Sequence, residues 1–122
     1  MLQRQTLAKV ADNSGAKVVR IFNLPGGTRK RYARIGDIVI ASVQSAEPRK
    51  STKKKDIVKC VVVRQRQALR RADGSTLRFD ENAVVIVDDK KEPKATRIFG
   101  PIPREIKQKG FEKIFSMAEE IV

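Results

Sequence analysis

The sequence predicts a mainly β protein: a small closed barrel of antiparallel strands, followed by two short helices at the C-terminal end. Three observations carry that prediction. Five short segments are rich in Val and Ile, namely Thr6 to Val10, Val18 to Leu24, Asp37 to Val43, Ile57 to Val63 and Ala83 to Val87. Their length and β-branching suit a pleated surface better than a helix. Turn chemistry separates them at Asp12-Asn13-Ser14-Gly15, at Pro25-Gly26-Gly27 and at Asp73-Gly74, where Asp and Gly tolerate positive φ. No helical period interrupts the strands before residue 103, which favours antiparallel pairing. Closing the sheet into a barrel removes edges that would otherwise pair with other chains.

Within that frame Ile38-Val39-Ile40-Ala41 and Cys60-Val61-Val62-Val63 are apolar on both parities, so both of their faces are expected to be covered. The stretch from Val63 to Ala83 reads as a long hairpin reaching beyond the core. Past Ala95 the pattern changes. Gly100-Pro101-Ile102-Pro103 is expected to stop strand structure, and Pro103 to open a short helix over Arg104 to Lys107, where its missing N–H costs nothing. Gly110 breaks the chain. Phe111, Ile114, Phe115 and Ala118 then follow at i, i+3, i+4 and i+7, the apolar stripe of a second short helix expected to cap one end of the barrel.

With 122 residues and 13.7 kDa the chain is expected to form one domain, the barrel to about residue 95 and the helical part from 96 to 122. Hydrophobic residues make up 40% of it, enough for a core despite the charge. Cys60 is the single cysteine, so no intramolecular disulfide can form, and a reducing compartment fits. The N-terminus, Met1-Leu2-Gln3-Arg4-Gln5, is not followed by a signal-peptide apolar region. No apolar run approaches the roughly 18 residues of a membrane span. The protein is therefore expected to be soluble and to act in the cytoplasm, or in an organelle that makes it.

Charge points to the partner. Lys and Arg number 27 against 14 acids, a formal +13. The cations are clustered: Arg29, Lys30, Arg31 and Arg34 around Tyr32; Arg49, Lys50, Lys53, Lys54 and Lys55; and Arg64, Arg66, Arg70, Arg71 and Arg78 along the hairpin, with Lys9, Lys17 and Arg20 on the first strands. A polyanion is the expected ligand, because each cation docked on a phosphate releases condensed counterions. Arg64 and Arg66, two apart, would share one face of a strand. Single-strand binders interleave several surface aromatics to stack bases. Here Phe22, Phe111 and Phe115 read as core, leaving Tyr32 alone among cations, so backbone recognition of folded RNA fits better than base reading.

The same residues exclude most chemistry. The chain has no His and no paired acid site, and it lacks GxxxxGK[ST], GxGxxG and GxSxG. Cys60 lies inside a Val run and is expected to be buried and inert. Asp88-Asp89 are adjacent and suit the start of a turn. No enzyme activity, cofactor, metal site or small-molecule substrate is expected. No amphipathic basic helix supports binding to a membrane surface.

Several motifs agree in order and spacing: Val10-Ala11-Asp12-Asn13-Ser14-Gly15-Ala16; Arg31-Tyr32-Ala33-x-Ile35-Gly36-Asp37; Val61-Val62-Val63-Arg64; Arg71-x-Asp73-Gly74-Ser75-x-x-Arg78-Phe79-Asp80-x-Asn82-Ala83; and Thr96-Arg97-Ile98-Phe99-Gly100-Pro101. Together they resemble the universal large-subunit ribosomal protein fourteen family, in its bacterial or organellar form. The resemblance runs from the first strand to the last residue. It implies a five-stranded barrel with a projecting β-ribbon and a C-terminal pair of small helices. It implies binding to large-subunit rRNA, contact with two neighbouring large-subunit ribosomal proteins, and an intersubunit bridge to small-subunit rRNA. It also implies docking of a ribosome-silencing factor, with the partner-facing positions carried onto Thr96, Arg97 and Lys113. The chain departs from the family pattern at Ala95, at Pro103-Arg104-Glu105-Ile106 and at Glu119, all on the factor-binding side.

Overall fold

A computed structural model describes residues 2–26, 31–48 and 53–122. Five strands close a barrel in the order β1 (Leu7–Val10), β2 (Ala16–Asn23), β3 (Ile38–Ala46), β4 (Ile57–Arg64) and β7 (Ala83–Val87). A short hairpin, β5 (Leu69–Arg70) and β6 (Thr76–Leu77), lies between β4 and β7. The C-terminal part contains β8 (Ile98–Ile102), α1 (Glu105–Gln108), α2 (Glu112–Met117) and β9 (Ala118–Ile121).

The barrel and the two short helices appear as the sequence predicts, with one difference in the pairing around the barrel; the hairpin pairs over only two residues on each strand, shorter than the long one expected from Val63 to Ala83. Four of the five barrel contacts are antiparallel, but β1 and β7 pair parallel, Lys9 opposite Ala83 and Val10 opposite Val84. The odd strand count forces this. Directions alternate around the ring, so the fifth strand returns beside the first pointing the same way.

Burial follows the expected patterns in β4 and β7. Cys60, Val61, Val62 and Val63 are buried, as is every residue of β7. β3 departs from expectation: Val39, Ala41 and Val43 are buried while Ile38 and Ile40 are only half-buried. It is an alternating strand with a wetter outer face. Phe22 also departs, because β2 turns it outward and leaves it 41% exposed. A single core joins the barrel interior to Ile98, Ile102, Ile106, Phe111 and Ile114, so the C-terminal part packs as an extension of the barrel core. Truncating one of these isoleucines to Ala would cost about 2–5 kcal/mol.

The C-terminal part differs most from the sequence reading. β8 runs through Gly100-Pro101 instead of stopping there, and pairs parallel with β9. A register shift between Ile98 and Pro101 absorbs the proline, which edge and irregular strands tolerate. Ala118 is not on the helical stripe: helix α2 ends at Met117 and Ala118 turns extended to begin β9. Phe111 and Ile114 are buried, while Phe115 is half-buried under the Lys107 ammonium, 5.3 Å from its ring centre.

Candidate nucleic-acid interface

The outer barrel wall mixes cations with apolar side chains. Directly paired residues on neighbouring strands share a face, and Leu7, Arg20, Ser42 and Ile57 form one such rung across β1, β2, β3 and β4. Leu7 and Ile57 are 52% and 71% exposed, and Phe22 lies two residues beyond Arg20 on the same strand face. Lys9, Lys17 and Arg20 are exposed. Lys9 is engaged by Glu81 at 2.8 Å.

Two basic loops lie at the strand ends. Arg31, Tyr32 and Arg34 are exposed, held by Ala33, which is buried and exchanges backbone hydrogen bonds of 2.7 and 2.8 Å with Leu2. Lys53, Lys54 and Lys55 are also exposed. The Asp56 carboxylate accepts from the Lys53 N–H at 2.9 Å and Lys55 N–H donates to the Val43 carbonyl at 2.8 Å, so the loop leaves the barrel in a defined turn. The expected contacts at Arg29, Lys30, Arg49 and Lys50 lie outside the described residues.

The hairpin arginines divide into two sets. Arg66, Arg70 and Arg78 are exposed. Arg64 is not: it is 9% exposed, with Nη1 on Glu81 at 3.3 Å and Nη2 on the Phe99 carbonyl at 2.9 Å. Burial lowers the pKa of its guanidinium, and Glu81 opposes that shift. The expected shared face of Arg64 and Arg66 fails because β4 ends at Arg64 and Arg66 lies beyond it, where strand alternation no longer applies. Arg64 and Gln65 are both buried at this strand end. Arg71 donates from Nε and Nη2 to Glu105 at 2.7 and 3.2 Å, and from Nη2 to the Val122 carbonyl at 2.8 Å. The hairpin is therefore tied to the C-terminal part, not a free arm. At its tip Asp73 accepts from the Ser75 N–H and hydroxyl at 2.9 and 2.7 Å, which holds its carboxyl below the ordinary range, and Gly74 takes the positive φ of 91° that the turn requires.

A different surface forms around the segment joining β7 to β8. Thr96, Arg97 and Lys113 are all exposed. Lys113 pairs with Glu92 of that segment at 2.9 Å. Asn13 reaches across from the β1–β2 turn: its Nδ2 donates to the Thr96 hydroxyl at 3.0 Å, and its Oδ1 accepts from the Thr96 and Arg97 N–H groups at 3.0 and 3.1 Å. Ile98 is buried, but Phe99 is 44% exposed, so of these two side chains only Ile98 packs into the core. Asp88 accepts from the Glu92 and Lys90 N–H groups, which lowers its pKa and shapes the turn expected at Asp88-Asp89. Glu112, Glu119 and Glu120 are exposed in the last dozen residues, where Lys113 is the single cation.

Reactive groups are spent inside. Cys60 is fully buried and its thiol is pushed up to about 12, by burial first and the nearby Asp12 charge second. The Ser14 hydroxyl donates to Asp12 Oδ1 at 2.6 Å, and Asp12 Oδ2 accepts from the Ile86 N–H at 3.0 Å. Burial raises the Asp12 pKa while those hydrogen bonds oppose the rise. Three surface residues escaped the sequence reading. Phe22 was hidden by its apolar strand. Lys59, exposed and paired with Asp89 at 3.1 Å, was hidden among valines, though strand alternation could have found it. Asn13 looked like turn chemistry only, and its partners lie 83 and 84 residues away, a separation no local pattern encodes. Compared with known families, the chain matches over residues 1–122 the one described as ribosomal protein L14p/L23e.

Proposed function

The chain belongs to the ribosomal protein L14p/L23e family, a structural component of the large ribosomal subunit, and from that premise we propose how its surfaces divide the work. Large-subunit rRNA is held by Lys17, Arg20, Arg31, Tyr32, Arg34, Lys53, Lys54, Lys55, Arg66, Arg70 and Arg78, with Lys9 contributing beside Glu81 and with Arg29, Lys30, Arg49 and Lys50 extending the same clusters. One observation carries this reading. These described cations, Lys9 apart, are exposed and none of them pairs with an acid among the described residues. Unpaired cations at this density are ready for phosphate, with no intramolecular partner to give up.

Arg64 and Arg71 support the RNA surface indirectly, by fixing the hairpin that carries Arg66, Arg70 and Arg78. Thr96, Arg97 and Lys113 serve the intersubunit side, in a bridge to small-subunit rRNA and as the docking place of a ribosome-silencing factor. The acids around them favour that role, since each would oppose binding to an extended phosphate backbone. Exposed apolar side chains such as Leu7, Ile57 and Ile121 suit the two neighbouring large-subunit proteins.

The test is binding of the purified chain to a large-subunit rRNA fragment at graded salt. With roughly 6–10 phosphates engaged, affinity falls about 10³–10⁵-fold between 50 and 200 mM salt. A binding constant that hardly moves over that range refutes backbone recognition. In lysate gradients the protein should sediment with large subunits at low magnesium and with joined ribosomes at high magnesium.

A further inference from the structure

Arg97 and Lys113 are both exposed cations, but they differ in what surrounds them. Lys113 is neutralised by Glu92 at 2.9 Å. Arg97 has no ion pair among the described residues, and its backbone is held on both sides. The Asn13 N–H donates to the Arg97 carbonyl at 3.3 Å, and Asn13 Oδ1 accepts from the Arg97 N–H at 3.1 Å. The same amide grips Thr96 through its N–H and its hydroxyl, both at 3.0 Å. Asn13 is itself fixed, because Asp12 before it is bonded to Ser14 and to the Ile86 N–H of β7. The Asn13 side chain thus adds three bonds to the backbone contacts, Asn13 N–H to Arg97 and Phe99 N–H to Ala11 at 2.6 Å, that tie this otherwise exposed segment to the barrel wall.

We propose that Asn13 is the positioning residue of the partner surface: its carboxamide holds Thr96 and Arg97 in a fixed pose and so presents Arg97 as a preorganised cation to a protein carboxylate. The inference rests on the docking role given above to Thr96, Arg97 and Lys113. A loop ordered before encounter spares the partner the ordering cost, which otherwise comes out of affinity. A protein partner is favoured over RNA because the last dozen residues carry Glu112, Glu119 and Glu120 against the single cation Lys113, which Glu92 already engages. A carboxylate approaching Arg97 needs one unpaired cation, whereas a phosphate backbone needs a field of them.

The experiment uses the full chain and large subunits assembled with it, carrying Asn13→Ala, Asn13→Asp or Arg97→Ala. Amide hydrogen exchange on the free chain reads the clasp, and affinity of the purified ribosome-silencing factor for the subunits reads its consequence. Asn13→Ala should speed exchange at the Thr96 and Arg97 amides at least tenfold while leaving β4 and β7 amides protected. It should weaken the factor roughly fivefold to tenfold, about the worth of one to two hydrogen bonds. Asn13→Asp, which keeps both acceptor roles, should restore the slow exchange. Asn13→Ala combined with Arg97→Ala should cost less than the two single losses added together, because both act on the Arg97 contact. If Asn13→Ala does not fold, Asn13→Ser keeps the turn chemistry but lacks the reach and gives the same readouts. Unchanged exchange at Thr96 and Arg97 overturns the clasp. Faster exchange with unchanged factor affinity, while Arg97→Ala weakens binding, overturns the positioning role. If Arg97→Ala leaves the factor untouched, the docking role falls instead, and the positioning role with it. Loss of joining to small subunits without loss of factor binding assigns the partner as RNA and overturns the choice of a protein.

Discussion

Arg71 and Glu105 form a two-pronged ion pair across 34 residues, with Nε to Oε1 at 2.7 Å and Nη2 to Oε2 at 3.2 Å. Their side chains are only 14% and 21% exposed, so solvent screens the pair less than an open surface bridge. Neighbouring Arg70 is exposed and pairs with nothing among the described residues. The two arginines should therefore part company on mutation. Arg71→Ala is expected to cost about 1–3 kcal/mol, the range for hydrogen bonds to charged groups, and to lower the melting temperature by several degrees. Arg70→Ala should leave melting unchanged and weaken RNA binding. Equal melting temperatures for the two variants would show that the hairpin is not held by the Arg71 contact.

Arg64 and Arg66 make a second contrasting pair. Removing a phosphate contact lowers the slope of log affinity against log salt by about 0.9. Arg66→Ala is expected to do this without loss of stability. Arg64→Ala should leave the slope alone and shift the urea midpoint downward, because the Glu81 and Phe99 partners of its guanidinium are left behind. The same midpoint should fall for Gly100→Ala. There the added Cβ would lie 2.8 Å from Arg64 Nη1 at a φ of 79°, and such strain costs on the order of 1–3 kcal/mol. A reduced salt slope for Arg64→Ala would mean that this residue reaches RNA after all.

The pH profile should carry the mark of Asp12. Its folded pKa is raised above 3.8 by burial, so the folded state holds this proton more tightly than the unfolded chain does. The contribution is favourable below the unfolded value and is lost as pH rises through the folded one. Asp73 and Asp88 run the other way: their folded values lie below 3.8, so their contribution is present at neutral pH and lost as pH falls through those values. Melting temperatures of wild type and Asp12→Asn, measured from pH 7 to pH 4, should diverge in favour of wild type toward the acid end. A constant difference would show that the Asp12 pKa is not raised.

Cys60 should be silent until the barrel opens. Its thiol is fully buried and pushed up to about 12, which leaves almost no thiolate at neutral pH. A thiol reagent at pH 8 is expected to label the native protein only at the rate of global unfolding, and the denatured chain at once. Rapid labelling without denaturant would contradict the packing of β4 against β7.

Much of the fold was legible along the chain because its cause is local. β-branched runs such as Ile57 to Val63 have few alternatives to a strand, and Asp73-Gly74 has few alternatives to a turn. The charge clusters, the buried thiol and the second short helix follow from composition and spacing, as does the absence of His. What the linear order could not hold was pairing between distant segments. The parallel closure of β1 on β7 comes from counting strands around a ring, and the passage of β8 through Gly100-Pro101 depends on a partner, β9, that begins 16 residues beyond the end of β8. Arg64 is held by Glu81 and the Phe99 carbonyl, partners 17 and 35 residues away that no local pattern names. By itself, then, the sequence determined a basic β-barrel suited to a phosphate backbone. Tertiary structure alone decided which cations are spent holding it together, because an ion pair such as Arg71 with Glu105, or a clasp such as Asn13 on Thr96, exists only once the fold has brought distant segments into contact.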